Sequence, residues 1–234
     1  LTESRVEEKV QKEKMHTRQK EVEFKMLASQ INPHFLYNTL ETIRMKARVN
    51  HQPEIEDLVK MLAKIMRRNI QVSHKLVSLQ SEIELIDNYM KIQGYRFGDR
   101  IHSEIMVDDD VDMTQEVMPL IIQPFVENAF IHGLENKPKD GRLEVKVSQD
   151  EKGIIIEVID NGVGMNYYQL GELRHSLTQT DGSGGHIGIS NVNQRLIMQY
   201  GKEYAVKVDS RLNEGTVVTI RIPKNTSVPI DSNQ

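Results

Sequence analysis

The chain has 234 residues and no cysteine. Disulfides, thiol nucleophiles and Cys-zinc centres are therefore excluded. Tryptophan is absent too, and aromatics make up only 5% of the residues, which leaves little for stacking single-stranded bases. The net charge is -4, with both signs interspersed, so no dedicated nucleic-acid surface is expected. No apolar run is long enough to cross a bilayer, and no secretory leader is visible. The first residue is Leu1 rather than Met. A fragment or processed product is expected, with an upstream segment that includes a membrane span.

Glycine is missing from residues 1 to about 73, where Pro33 and Pro53 are the only breakers. What fills this stretch is Glu, Lys, Gln, Met and Leu, all good helix formers. Val6, Val10, Phe24, Leu27, Ile31, Leu36, Leu40 and Ile43 recur at spacings of three, four and seven, a helical stripe with coiled-coil character. The first twenty residues are mostly charged and are expected to pair with a second copy or to fray. Asn50 to Pro53 reads as a turn, and Ile55, Leu58, Leu62, Ile65, Met66 and Asn69 mark one face of a second helix. A helical hairpin with one apolar face cannot bury that face alone, whereas two hairpins can form a four-helix bundle. A third helix is expected over Ser78 to Gln93, capped by Ser78 or Ser81 and ended by Gly94 and Gly98.

Beyond Arg100 the pattern changes. Residues 101–107, 142–148, 153–159, 204–210 and 216–222 read as strands, and 120–134 and 190–200 as helices. This predicts an antiparallel-rich sheet covered on one face by helices.

Asp160-Asn161-Gly162-Val163-Gly164-Met165 follows an apolar strand. Glycines there let the backbone turn sharply and approach a flat ligand, and a carboxylate can accept a hydrogen bond from an exocyclic amine such as that of adenine. Many plain strand-end turns share this pattern. Two further elements accompany it. Gly182-Ser183-Gly184-Gly185-His186-Ile187-Gly188-Ile189 feeds a helix, an arrangement suited to phosphate. Upstream, Glu127-Asn128-Ala129 lies on a helix with Gln123, His132 and Gly133, and the Asn128 amide oxygen could share a hydrated Mg²⁺.

This order resembles the nucleotide site common to gyrase, heat-shock chaperones, histidine kinases and mismatch-repair ATPases. PFVENAFIHG looks like the N box, DNGVGM the first glycine box, GGHIGISN the second, and Asn213 to Thr216 a last, smaller one. The resemblance implies that Asp160 binds adenine, Asn128 ligates Mg²⁺, and residues 165–184 form a mobile lid. Nucleotide-binding positions by the same resemblance are His132, Gly162, Gly164, Gly184, Gly185, Gly188, Ile189 and Thr216. The hydrolytic branches carry a water-activating Glu one turn before the Mg²⁺ Asn. Here that position is Pro124, which argues for a kinase over an ATPase.

Gln30-Ile31-Asn32-Pro33-His34-Phe35-Leu36-Tyr37-Asn38-Thr39-Leu40 resembles the phospho-acceptor segment of the LytS/YesM-type sensor histidine kinases. LIDNYMKIQ with Arg96-Phe97, QPFVENA and GISNV match the same family in order, across roughly residues 28–223. The expected fold is α+β: an N-terminal helical hairpin forming a dimeric four-helix bundle, followed by an α/β sandwich ATP-binding domain with helices on one face of a mixed, mostly antiparallel sheet. The expected divisions are a signalling coiled-coil helix (1–25), the dimerisation and phospho-acceptor hairpin (26–77), a connecting helix (78–100), the ATP-binding kinase domain (101–225) and a disordered tail (226–234).

By that resemblance the chain is the cytoplasmic part of a bacterial membrane sensor. ATP·Mg²⁺ would phosphorylate His34 within a homodimer, and the phosphoryl group would pass to an aspartate on a response-regulator receiver domain. An imidazole nitrogen is a competent nucleophile near neutral pH. The other histidines read as ordinary surface or core residues, with His132 and His186 the two to place near nucleotide. Many histidine kinases put an acidic residue directly after the acceptor as general base. Here Phe35 stands there, and Glu127 is the candidate instead. Asn38, one turn after His34, is a candidate for orienting a water in dephosphorylation. Pro33 breaks the helix beside His34 and reads as a hinge, with Asn32 capping a restarted helix. A serine kinase or ATPase of the same superfamily, and a nucleotide-switched coiled-coil dimer, are the alternatives.

Overall fold

The structure, a computed structural model, describes residues 33–70, 75–178 and 187–224. The chain divides into two compact units, one ending at Ile70 and the next beginning at Gln71. The expected signalling helix, residues 30–32 of the acceptor segment, Gly182 to His186 of the glycine loop and the tail lie outside the described residues.

In the first unit, α1 (Pro33–Val49) and α2 (Pro53–Ile70) form the expected hairpin. The turn has a physical signature. His51 takes a left-handed backbone with φ 53°, its N-H bonds the Arg48 carbonyl at 3.1 Å, and the Gln52 N-H bonds the Ala47 carbonyl at 2.9 Å. This is a Schellman ending, and Pro53 then opens α2 at its first position. Lys46 and Arg48 close α1 while Glu54 and Glu56 open α2, each complementing its helix dipole. Ala47, Val59 and Ile65 are buried within the hairpin. Arg44 bridges to Glu56 at 2.8 Å, and the Arg67 guanidinium lies 5.3 Å from the Tyr37 ring centre. Only part of the apolar stripe is used in this way, since Ile43, Val49, Ile55 and Leu62 stay exposed.

The second unit begins with β1 (Val77–Ser78) and α3 (Leu79–Phe97), where Ser78 Oγ caps the helix by accepting from Ser81 N at 3.2 Å. The helix expected as a connector packs Leu79, Ile86, Met90 and Phe97 into this unit's core. Gly94 lies inside the helix, and Gly98, at φ 55°, ends it. There follow β2 (Ile101–Val107), β3 (Glu116–Val117), α4 (Gln123–Asn128), β4 (Gly141–Asp150), β5 (Gly153–Asp160), α5 (Tyr167–Thr178), α6 (Ile187–Tyr200), β6 (Lys207–Arg211) and β7 (Gly215–Pro223). Strands β1 and β3 pair with each other. The main sheet runs β2-β4-β5-β7-β6, and β2-β4 is its parallel pair. The expected mixed, mostly antiparallel sheet is present.

Cross-strand register explains the core. One inner-face row is Val107-Val147-Ile156-Ile220 and the next Ile105-Val145-Val158-Val218-Val208. The helices cover this face, and its central residues are fully or almost fully buried. Branched side chains suit such a surface.

One expectation needs correction. The helix predicted from Leu120 starts only at Gln123. Leu120 takes a left-handed backbone at φ 57°, and the fully buried Glu82 carboxylate accepts from Leu120 N at 3.0 Å and Ile121 N at 3.1 Å. Arg195, held below its usual basicity by burial and partly restored by the Glu82 charge, donates to the Pro119 carbonyl at 2.6 Å. Buried side chains on α3 and α6 thus supply the hydrogen bonds that a helix would have made. Within the expected lid, Tyr167–Thr178 form the helix α5. Leu173 and Leu177 are buried, and Arg174 donates to the Val208 carbonyl on edge strand β6 at 2.7 Å.

Candidate functional site

The sheet's inner face changes character in its last row, Ser103-Leu143-Asp160-Thr216-Ser210. Alternation carries Asp160 onto the helix-covered side, where it is 7% exposed. Its Oδ1 accepts from Gly162 N at 2.8 Å. Burial pushes this carboxyl up to about 6, against the opposing pull of the Gly162 and Thr216 backbone N-H groups and the Lys137 charge. Ser210 Oγ sits 3.0 Å from Thr216 Oγ1 and accepts from Met165 N at 2.9 Å. Asn161 accepts from Arg142 N at 2.7 Å and donates to the Asp140 carbonyl at 2.9 Å, while Lys137 donates to the Asn161 carbonyl. A cavity of about 690 Å³ is lined by Asp160, Ser210 and Thr216 of this row and by Glu144, Ile159, Val217 and Asp209 of the opposite parity.

The glycines explain how the N-box helix reaches this carboxylate. After Asn128 the helix widens into a π turn, Ala129–Leu134, a form that recurs at functional sites. A Cβ at Gly133 would stand 2.8 Å from Asp160 Oδ1, and one at Gly162 would stand 2.3 Å from the Gly133 carbonyl oxygen. That same carbonyl accepts from Val163 N at 3.0 Å. Gly164 (φ 59°) and Gly215 (φ 112°) are closed off by the carbonyls of Arg211 and Asp160, each 1.9 Å from the built Cβ. The sharp turn expected of the first-box glycines has a second physical basis. Backbone packs where their side chains would be, and this joins helix, strand end and hairpin.

The other expected positions divide. Asn128 is half-buried on α4, and His132 is exposed in the π turn. Glu127 accepts from Gln123 Nε2 at 2.6 Å, along its own helix. Gly188 is exposed at the start of α6, and its built Cβ lies 3.9 Å from Pro124, so the second glycine box and the N box adjoin. Ile189 is 7% exposed and its side chain belongs to the hydrophobic core. Gly184, Gly185 and His186 lie outside the described residues. In the first unit, the exposed His34 and Asn38 share one face of α1, with Asn38 Nδ2 3.2 Å from His34 Nδ1.

Family models match this arrangement along the chain. The model described as Histidine kinase covers residues 22–101, and the one described as Histidine kinase-, DNA gyrase B-, and HSP90-like ATPase covers 113–226. The chain belongs to the histidine kinase family. Sensor histidine kinase YesM of Bacillus subtilis is 34% identical to this family member over 209 residues, covering 89% of this chain and 34% of that one. Sensor protein LytS of Oceanobacillus iheyensis is 34% identical over 213 residues, covering 90% and 36%. Sensor protein kinase HptS of Staphylococcus aureus is 28% identical over 207 residues, covering 88% and 39%. This histidine kinase chain therefore spans about a third of the length of the curated relatives it matches.

The residues of this kinase-family site fit ATP, since Asp160 is a buried acceptor at the end of the inner face. A Mg²⁺ there would rest on one amide oxygen, that of Asn128, with phosphate and water completing its shell, as this ion prefers. Sequence reasoning missed Ser210, Lys137, Asn161 and the buried Asn193. The last accepts from Val206 N at 2.8 Å and donates to the Leu177 carbonyl at 2.7 Å, tying α6 to α5 and to the approach to β6. Their neighbours come from strand order and helix packing, which local motifs do not encode.

A pH effect follows from Asp160. Its carboxylate form is the one that accepts an amine hydrogen bond strongly. With the group pushed up to about 6, ATP affinity is expected to fall as pH drops through 6, by about tenfold per unit below that point. Calorimetric titration between pH 5 and 8 checks this. Asp160→Asn should flatten the profile and weaken binding about 10- to 100-fold at pH 7.5. Stability moves the other way. A folded value above the ordinary 3.8 means that stability present below 3.8 is lost as pH rises through 6. The Asn variant, free of this penalty, should melt higher at pH 7.5, by on the order of 2 kcal/mol.

Proposed function

We propose that this chain is the catalytic part of a two-component sensor histidine kinase. ATP bound beside Asp160 and Asn128 phosphorylates His34, and the phosphoryl group then passes to an aspartate on a response-regulator receiver domain. The observation that carries this reading is the order of the two matched regions. A histidine-bearing helical hairpin within 22–101 precedes an ATPase-type domain within 113–226, with the buried Asp160 at the end of its inner face.

The chain's own residues suit phosphoryl transfer, where a protein chiefly positions groups and neutralises charge. Asp160 selects and orients the base through its exocyclic amine. Asn128 holds Mg²⁺, which when bound neutralises phosphate charge. Pro124, one turn before Asn128, offers no base for water, which favours transfer to protein over hydrolysis. The Glu127 carboxylate, engaged by Gln123, remains the candidate base, and Asn38 the candidate amide for dephosphorylation. Gly162, Gly164 and Thr216 support the pocket through backbone, and Gly184, Gly185, Gly188 and His132 serve at its phosphate end. Exposed Ile43, Val49, Ile55 and Leu62 on the hairpin support a homodimeric four-helix bundle. The full-length chain of this proposal also carries an upstream sensor and membrane segment.

The test is incubation with γ-labelled ATP and Mg²⁺. An acid-labile, base-stable phosphoprotein is expected. Acid-stable label, or repeated ATP turnover without label even with a receiver domain present, would overturn the proposal.

A further inference from the structure

We propose that Asn38 is a positioning residue for the forward reaction: its side-chain amide oxygen accepts the Nδ1-H of His34, which leaves the lone pair on Nε2 as the nucleophile. The inference rests on the histidine-kinase reading above and adds a role for a residue of α1. Asn38 and His34 are four residues apart on one helix face, and the amide nitrogen Nδ2 is placed 3.2 Å from the ring nitrogen Nδ1, where a half-turn of the amide puts Oδ1 instead. A neutral imidazole carries one proton, so the partner of one nitrogen decides the role of the other. A side-chain amide can meet Nδ1 in two ways, because a half-turn exchanges its ends. With the amide N-H donating, Nδ1 is the acceptor, the proton sits on Nε2, and Nε2 cannot attack. With Oδ1 accepting, the proton sits on Nδ1 and Nε2 is nucleophilic.

The neighbouring residue makes this assignment matter. Position 35 is Phe35, 66% exposed, which has no group to accept a ring proton. Asn38 is the polar side chain seen at Nδ1. An amide also suits the task by charge. It fixes the tautomer without raising the ring's basicity, whereas a carboxylate would favour the protonated, non-nucleophilic imidazolium.

In the transfer step the Nε2 lone pair forms the P-N bond to the γ-phosphorus. The bond from that phosphorus to the β-γ bridging oxygen breaks, and ADP leaves with the electron pair. The ring becomes a phosphoimidazolium with its Nδ1 proton still donated to Asn38 Oδ1. Loss of that proton to water gives neutral phosphohistidine.

The experiment is long-range ¹⁵N-¹H NMR of the histidine-labelled chain, with His34→Gln assigning the signal, alongside autophosphorylation rates. Wild-type His34 should be mainly the Nδ1-H tautomer. In Asn38→Ala it should shift towards Nε2-H, and the labelling rate should fall about tenfold or more with the KM for ATP within about twofold. Asn38→Asp, an acceptor only, should restore the Nδ1-H tautomer and much of the rate, with the pH optimum moved upward. An Nε2-H tautomer in the wild type overturns the inference, as does an Asn38→Ala variant that labels at the wild-type rate. Slower dephosphorylation of a receiver domain as the sole defect overturns it too. Failure of the underlying reading looks different, because His34→Gln would then label as well as wild type.

Discussion

His34→Gln is expected to abolish the acid-labile label while leaving ATP affinity within about twofold of wild type. Glutamine is similar in length and polarity, but its amide nitrogen has no lone pair available for attack. No slower route through the same atom remains, so the loss should be complete to the limit of detection. His34 lies in the first compact unit and the proposed nucleotide residues Asn128 and Asp160 in the second. Binding and acceptor chemistry therefore separate in the measurement. Calorimetry on the variant should give an unchanged ATP isotherm, and a filter assay after acid and base treatment should give no label. Label at wild-type level would place the acceptor elsewhere. A lost isotherm would mean that the substitution disturbs more than the acceptor.

The second large effect is expected at Gly215. An alanine Cβ there would stand 1.9 Å from the Asp160 carbonyl oxygen and 2.7 Å from Asn161 Cα, and the backbone holds φ at 112°. The obstruction is backbone of the sheet's central strand, so it cannot swing aside like a flexible side chain. Left-handed strain of about 1–3 kcal/mol adds to overpacking of about 1–3 kcal/mol. Gly215→Ala should therefore lose about 2–6 kcal/mol and, with Asp160 displaced, its ATP binding. Gly171→Ala is the matched control. Its Cβ meets nothing within 4 Å, it sits inside α5, and removing a helical glycine should stabilise by about 0.5–1 kcal/mol. Urea unfolding of the two variants checks the contrast. Equal midpoints would show that the hairpin turn relaxes to admit a methyl group.

These two sites differ in how far the amino-acid sequence alone reveals them. His34 carries its chemistry in its residue type, and its flanking segment is local along one helix. Gly215 is legible only as part of a small glycine box. Its close approach is to Asp160, a partner 55 positions away that strand pairing brings alongside. The first glycine box shows the same limit. Its glycines suggest a sharp turn, but that a Cβ at Gly162 would meet the Gly133 carbonyl follows only from packing. Helix α5 is hidden for another reason. Its spacing of Leu170, Leu173 and Leu177 is helical, but Gly171 and the glycine-rich sequence that follows make the whole segment resemble a loop.

What the sequence determined by itself was whatever depends on period and neighbour. The hairpin, the strands, the Ser78 cap, the Asp160 strand end and the segment around His34 are each written within a few residues. Only the tertiary structure decided which groups from distant segments meet. It set Asp160 beside Thr216 and near Lys137, held residues 119–121 between Glu82 and Arg195, and joined α5 to α6 through Asn193. The physical reason is that a buried polar group must find a partner wherever the packed chain supplies one. Those partners come from strand order and helix packing, and no short stretch of sequence contains them.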